Sequence, residues 1–315
     1  MTDRTRVLVV GTGAIGSFYG AILARAGAQV EVVSRSEHQQ MREHGVRVDS
    51  SKMGDLSFQP ATVYSDTSEV ETPPDLLLLC VKVLDDIDRA ELIRPAVGPD
   101  TAIVLIENGI EIEPPLVEAF PDNPLVSCLA FVAASRVGPA HTEHKAYGRL
   151  VIGSYPSGIN PAAEQLSKLL EQGGINAPLA ENLVTERWRK AVWNAAFNPL
   201  SVIAGGATTT DLLGSDNEQR LGTILMQEVC DVAAAAGHPM PEDLPEKSVV
   251  NTLKMPPYHN SMALDYLNGR DMEVEAILGN VIREARRLDV PVPHLDTVYG
   301  AVKILQRTLA GRQAG

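Results

Sequence analysis

The stretch that most restricts how this 315-residue chain can fold is its beginning. Arg6-Val7-Leu8-Val9-Val10 is a short apolar run that breaks directly into Gly11-Thr12-Gly13-Ala14-Ile15-Gly16. Phe18, Ala21, Ile22 and Arg25 follow at helical spacing, and Gly27 closes the segment. The order reads as a buried strand, a glycine turn and a helix stopped by glycine. A G-x-G-x-x-G pattern is weak by itself, but between a strand and a helix it marks a phosphate-binding turn of a parallel sheet. Gly11 permits the tight turn, Gly13 lets the backbone approach a pyrophosphate, and Gly16 lets the helix pack closely on the strand. The opening N–H groups of the helix, around Ala14 and Ile15, then face the phosphates with the positive end of the helix dipole. A plain glycine turn without a ligand is the competing reading.

Further strands are expected at Gln29–Val33, Asp75–Val81, Thr101–Ile106 and Leu125–Leu129, with helical segments between them. The run Asp75-Leu-Leu-Leu-Leu-Cys-Val81 is apolar almost throughout, as parallel strands covered on both faces tend to be. Residues 131–155 differ in texture, and Arg149–Gly153 reads as an added strand near the sheet edge. Alternating strands and helices imply an α/β doubly wound parallel sheet. From about Glu181 helical patterns dominate: Glu181–Asn198, Asp216–Ala236, Ser261–Asn268, Asp271–Leu288 and His294–Leu309. A mainly α-helical C-terminal domain follows, dividing the chain into residues 1–180 and 181–315. The length, about twice that of a common domain, agrees with two.

Forty acidic against twenty-seven basic side chains leave a net charge of −13. Such a chain lacks the basic surface that displaces counterions from nucleic acid, so that class of partner is excluded. An anionic small molecule is not excluded, because a local cation outweighs a distant field within a Debye length. The three cysteines, Cys80, Cys128 and Cys230, show neither a disulfide framework nor metal-ligand spacing, so no metal is expected. No stretch reads as a secretory signal or reaches the ~20 apolar residues of a membrane span. A cytoplasmic protein is expected, and a homodimer is compatible with the sequence.

The end of the second strand bears on which dinucleotide would bind. A free ribose hydroxyl wants an acidic acceptor at the strand tip, about 20 residues after the fingerprint begins. Here Glu31 lies inside the strand, and Ser34-Arg35 occupy the tip. A hydroxyl and a guanidinium suit a 2′-phosphate, which favours NADP over NAD; a solvated Arg35 would leave the choice open. Lys82 after the third strand and Asn108-Gly109 after the fourth fall where open sheets place ligands. Each also has a plain reading, as a helix start and a common turn. Lys190, Asn194 and Asn198 recur every four residues and line one face of an otherwise apolar helix that Pro199 should end or kink. That polar stripe must meet water, a partner or a ligand, since unpaired burial costs about 1–3 kcal/mol per group. Ser261 opens another helix. Glu273 falls in the first turn of the Asp271–Leu288 helix, where an acid is favoured by the dipole without any function.

Taken together and in this order, these segments resemble the ketopantoate reductase family, the 2-dehydropantoate 2-reductases. The resemblance spans nearly the whole chain: the glycine fingerprint, Lys82, Asn108-Gly109, Arg187-x-x-Lys190 with Asn194 and Asn198-Pro199, Ser261-Met262-x-x-Asp265, and Gly269-Arg270-x-x-Glu273. It implies a Rossmann-type domain, a helical domain, a substrate cleft between them, and NADPH-dependent reduction of a 2-oxo acid, 2-dehydropantoate. It implies that Lys190 is the general acid and Glu273 the carboxylate of the catalytic site, also touching cofactor. It gives Asn108, Asn194, Asn198 and Ser261 to the substrate. Gly11, Gly13, Ala14, Ile15, Gly16, Arg35, Lys82 and Asn108 would serve the cofactor. Three positions depart from the family pattern: Glu107 where Gln is common, Asn260 where a second Ser often stands, and Met272 in place of a small hydroxylated residue. They bear on which 2-oxo acid is taken. Other readings on the same architecture are an opine-like or other 2-hydroxy-acid dehydrogenase, and a nucleotide-sensing protein without turnover.

Overall fold

In the computed structural model, the backbone is described for residues 4–313 and side chains for residues 4–309. The chain forms two compact units. The first takes the chain up to Lys82, Asp86–Glu107 and Glu113–Leu183; the second takes Val83–Asp85, Asn108–Ile112 and everything from Val184 onward. Each unit is therefore discontinuous, with two short loops following sheet strands belonging to the helical unit.

The first unit is built on nine strands: β1 Arg6–Val10, β2 Gln29–Val33, β3 Val46–Ser50, β4 Leu56–Phe58, β5 Val63–Tyr64, β6 Leu76–Leu79, β7 Ala102–Ile106, β8 Leu125–Gly138 and β9 His141–Ser154. Their order across the sheet is β4-β3-β9-β8-β7-β6-β1-β2-β5. The run from β8 through β5 is parallel, while β8 pairs antiparallel with β9 and β3 with β4. Its helices are α1 Ala14–Arg25, α2 His38–His44, α3 Arg89–Ile93, α4 Pro114–Ala119 and α5 Pro161–Gln172. Alternate side chains of the central strands enter two different cores. Val7, Val9, Leu76, Leu78 and Val104 pack on one face with Phe18 and Ile22 of α1. Leu8, Val10, Leu77, Leu79 and Leu105 pack on the other with Ile93 and Leu116. Full burial of each such aliphatic side chain contributes about 1.5–3 kcal/mol, so the four leucines of β6 hold the sheet's centre from both sides.

The second unit is helical: α6 Leu183–Ile203, α7 Asp216–Ala235, α8 Leu244–Leu253, α9 Ser261–Leu267, a π-helical turn Glu275–Gly279, α10 Asn280–Arg287 and α11 Pro293–Gln313. Its main core joins Trp188, Val192, Ala195 and Phe197 of α6 to Leu225, Met226 and Val229 of α7 and to Val281 and Ile282 of α10. The start of α11 is held by α7: the Glu228 carboxylate accepts the backbone N–H groups of His294 at 3.1 Å and Leu295 at 2.8 Å. An acid at a helix N-terminus satisfies donors that have no partner within the helix.

The structure corrects the sequence-based expectations at several points. Pro199 does not end α6, which continues to Ile203. Ser201 and Val202 beyond the proline are buried at 0% and 1% exposure, and their packing outweighs the lost backbone donor. The expected strands 125–129 and 149–153 are the inner ends of a hairpin whose arms have 14 residues each. Its outer half mixes exposed and half-buried residues with buried polar ones such as Thr142 and His144, so no apolar run announces it. β9 lies between β3 and β8, but β3 pairs only with His141–His144, so Arg149–Gly153 has β8 on one side and only the Ile152–Leu179 bridge on the other, near the sheet margin as expected. The segment 271–288 is not one α-helix: a π turn precedes α10, and Glu273 stands just ahead of the helical stretch.

Candidate functional site

In the first unit the glycine turn is shaped by close approach. Gly11 has φ +96°, and a Cβ there would lie 2.8 Å from Val81 Cγ1 and 2.9 Å from the Cys80 carbonyl carbon. A Cβ on Gly16 would stand 2.2 Å from the Gly11 carbonyl oxygen. At Gly13 the same atom would meet nothing within 4 Å. Gly13 is also the N-cap of α1, with no side-chain cap, and the first turn of α1 contains no acid. The turn is thus a cradle whose open side lies over uncapped N–H groups and an uncompensated positive helix end, beside half-buried Ala14 and Ile15. A dinucleotide pyrophosphate fits that chemistry.

At the tip of β2, Ser34 is buried and Arg35 is exposed. Glu31 is committed elsewhere: its carboxylate pairs with Arg6 at 3.1 Å and accepts from Gln29 and from the Tyr64 hydroxyl, each at 3.1 Å. Lys82 is half-buried after β6. Burial, and then the Glu107 charge, push the Cys80 thiol well above the ordinary range, which disfavours the thiolate. Glu107 meets the Arg89 guanidinium at 2.7 Å, with side-chain exposures of 0% and 7%. The additional negative charge of this departure from the family pattern is therefore matched within its own unit.

The second unit gathers the chemical groups. Lys190 on α6 donates from Nζ to Asn108 Oδ1 at 2.9 Å. Burial, and then the neighbouring Arg187 cation, lower its pKa to about 8, while Glu273 pulls it upward. Glu273 is buried, and its Oε1 accepts the Val83 backbone N–H at 3.0 Å. It is thus not a surface first-turn acid. One turn beyond Lys190, Asn194 is half-buried; after another turn Asn198 is 1% exposed, and its Oδ1 accepts no hydrogen bond from the described residues. Ser261 is the exposed first residue of α9. Asn260 before it is a structural link: Oδ1 caps Ala263 N at 2.9 Å, and Nδ2 donates to Ser201 Oγ at 2.7 Å and to the Phe197 carbonyl at 3.3 Å. Met272 belongs to a small core with Val202, Met262, Val274 and Ile277.

Asn108, Lys190 and Glu273 are brought together; Asn194 and Asn198 share the helix of Lys190, and Asn260 ties the start of α9 to that helix. Two groups were not singled out from the sequence as functional. Arg187 donates from Nη1 to the Gly109 carbonyl at 3.1 Å, and its place three residues before Lys190 was the available signal. The Val83 N–H carried none, since it is a backbone atom. Among the described residues no group of three or more His, Cys, Asp or Glu is placed to hold a metal, and no helix is long and apolar enough to cross a membrane.

Comparison with known proteins adds independent information. Residues 7–157 match the family described as Ketopantoate reductase PanE/ApbA, and residues 182–306 match its C-terminal companion. A 2-dehydropantoate 2-reductase from Nostoc sp. is 31% identical over 310 residues, covering 97% of this chain and 96% of the relative. The crystal structure of a 2-dehydropantoate 2-reductase from Methylococcus capsulatus is 50% identical with a TM-score of 0.91, covering 96% of this chain and 97% of that one. One from Geobacter metallireducens is 27% identical with a TM-score of 0.89, covering 95% and 99%.

Proposed function

The chain belongs to the ketopantoate reductase family, nicotinamide-dependent oxidoreductases acting on a CH–OH group, and on that premise we propose that it is an NADPH-dependent reductase of a 2-oxo acid, 2-dehydropantoate, giving pantoate. The observation that carries this reading is the Lys190 ammonium, held on Asn108 Oδ1 at 2.9 Å with its pKa lowered to about 8. A general acid works best with a pKa near the operating pH, and an ordinary exposed lysine lies too high.

Bound NADPH would supply the hydride, and the residues of this chain do the rest. Gly11, Gly13 and Gly16, with the N–H groups around Ala14 and Ile15, receive the pyrophosphate; Arg35 with Ser34 receives the 2′-phosphate, and Lys82 adds a cation. Lys190 stabilises the negative charge that gathers on the ketone oxygen, then protonates it. Asn108 orients the ammonium by accepting a hydrogen bond from it at 2.9 Å. Glu273, fixed by the Val83 N–H, faces the substrate hydroxyl, and Asn194, Asn198 and Ser261 bind its polar ends. The unpartnered Asn198 Oδ1 supports this assignment, because a buried amide oxygen without a donor is costly. The phosphate-rich cofactor and carboxylate substrate are met by a few placed cations despite the net charge of −13.

Purified protein is expected to oxidise NADPH when 2-dehydropantoate is added, and much less well with pyruvate or 2-oxoisovalerate. Rapid turnover of another oxo acid with none of 2-dehydropantoate would remove the substrate and keep the class. Absence of turnover with every oxo acid, alongside tight NADPH binding, would leave a nucleotide-sensing protein.

A further inference from the structure

The second unit buries a cation that the reaction as described above does not use. Arg187 is 2% exposed and precedes Lys190 by three residues on α6, so the two rise from one helical face with Cβ atoms about 5–6 Å apart. Like charges at that spacing repel, and withdrawing a guanidinium from water is unfavourable unless the protein repays it with hydrogen bonds.

Arg187 Nη1 donates to the Gly109 carbonyl at 3.1 Å, while Lys190 Nζ donates to Asn108 Oδ1 at 2.9 Å. Two cations of one helix thus hold two successive residues of one loop. The loop itself has no slack. Gly109 has φ +107°, and a Cβ there would stand 2.5 Å from the Ala276 carbonyl oxygen in the π turn. Ile110 N–H donates to that same oxygen at 3.3 Å, and Asn280 Nδ2 donates to the Ile110 carbonyl at 2.6 Å.

We propose that Arg187 is a positioning residue for the reduction: it clamps the Asn108–Gly109 loop in register with Lys190 and keeps a second positive charge beside that ammonium, so that the proton is more readily given up. The proposal rests on the reading of Lys190 as the general acid. Among the charged groups acting on Lys190 are Arg187 from α6 and Glu273 from the segment ahead of the π turn; Asn108 from the loop is neutral. Burial lowers the pKa most, Arg187 lowers it next, and Glu273 opposes both.

The test is a titration of Lys190 that does not depend on turnover. In the full-length protein labelled with ε-¹³C-lysine, the signal of Lys190 is one among eight lysines and is identified by its loss in Lys190→Arg. Its midpoint is expected near 8 in the unsubstituted protein. In Arg187→Gln and Arg187→Met the midpoint should rise by about one pH unit. The alkaline limb of kcat/KM should move up with it, and kcat should fall at least about tenfold, as loss of orientation predicts. Arg187→Lys, which keeps the charge, should hold the midpoint near the unsubstituted value. A merely structural role would lower kcat without moving either titration. The proposal is overturned by a midpoint unmoved in the neutral variants, or moved equally in Arg187→Lys. If neither neutral variant folds, a midpoint near 10.5 in the unsubstituted protein overturns it. Full turnover in Lys190→Ala would instead overturn the general-acid reading on which the proposal rests, and the labelled resonance distinguishes the two failures.

Discussion

Replacing Gly109 with alanine tests the candidate site at the place where backbone geometry, rather than a reactive side chain, holds it. At φ +107° an alanine is strained by about 2 kcal/mol. Its Cβ would also lie 2.5 Å from the Ala276 carbonyl oxygen, where ordinary contact is about 3.5 Å, so the two backbone segments must part by roughly 1 Å. That separation breaks the Ile110–Ala276 hydrogen bond and stretches the contact from Arg187, at about 1 kcal/mol each. The total is about 4 kcal/mol, which should lower the unfolding transition of the helical unit by about 10 °C. Asn108 moves with its neighbour, and a displacement of about 1 Å near the chemistry costs roughly 100-fold in kcat. Calorimetry with steady-state kinetics on Gly109→Ala measures both effects. Gly300→Ala is the control, because it lies within α11 with nothing within 4 Å of its added Cβ; it should stabilise by about 0.5–1 kcal/mol. Gly109→Ala with unchanged transition and turnover would refute the reasoning, since the loop would then not depend on that conformation.

Other expectations follow from single groups. Lys190→Ala should lower turnover at least about 100-fold, and an unaffected rate removes Lys190 from the mechanism. The acid must carry its proton to act. In the unsubstituted protein kcat/KM is therefore full below a pH of about 8 and declines above it, as a pH–rate series would record. Arg35→Ala should weaken NADPH binding and leave NADH nearly unchanged; equal loss of both by titration calorimetry would remove the 2′-phosphate contact. Arg89→Leu withdraws the cation facing buried Glu107 and should cost about 3–5 kcal/mol in urea unfolding, much of it recovered by adding Glu107→Leu. No recovery in the double variant would show that the pair is not the source of the cost.

Much of the architecture could be read from local pattern. The strand–glycine–helix opening and the unbroken leucines of β6 declare themselves within a few residues, because a parallel strand covered on both faces has no polar position to hide it. The same holds for Lys190, Asn194 and Asn198, whose spacing on an apolar helix was enough to mark them. What the sequence alone determined is thus the local periodicity, the glycine turn after β1 and the residue types offered along each element. The tertiary structure decided how those residues are used. Pro199 sits inside α6 because Ser201 and Val202 beyond it are buried by other elements. Glu107 is matched by Arg89, 18 residues away, and Asn260 ties the start of α9 to α6. Arg187 and the Val83 N–H joined the site only when the chain brought α6, the Asn108–Ile112 loop and the π turn into one unit. Pairings between distant residues depend on chain closure, which no local window records. The lowered pKa of Lys190 comes first from its burial and then from Arg187, opposed by Glu273 from far along the chain, and so belongs to the fold and not to the lysine alone.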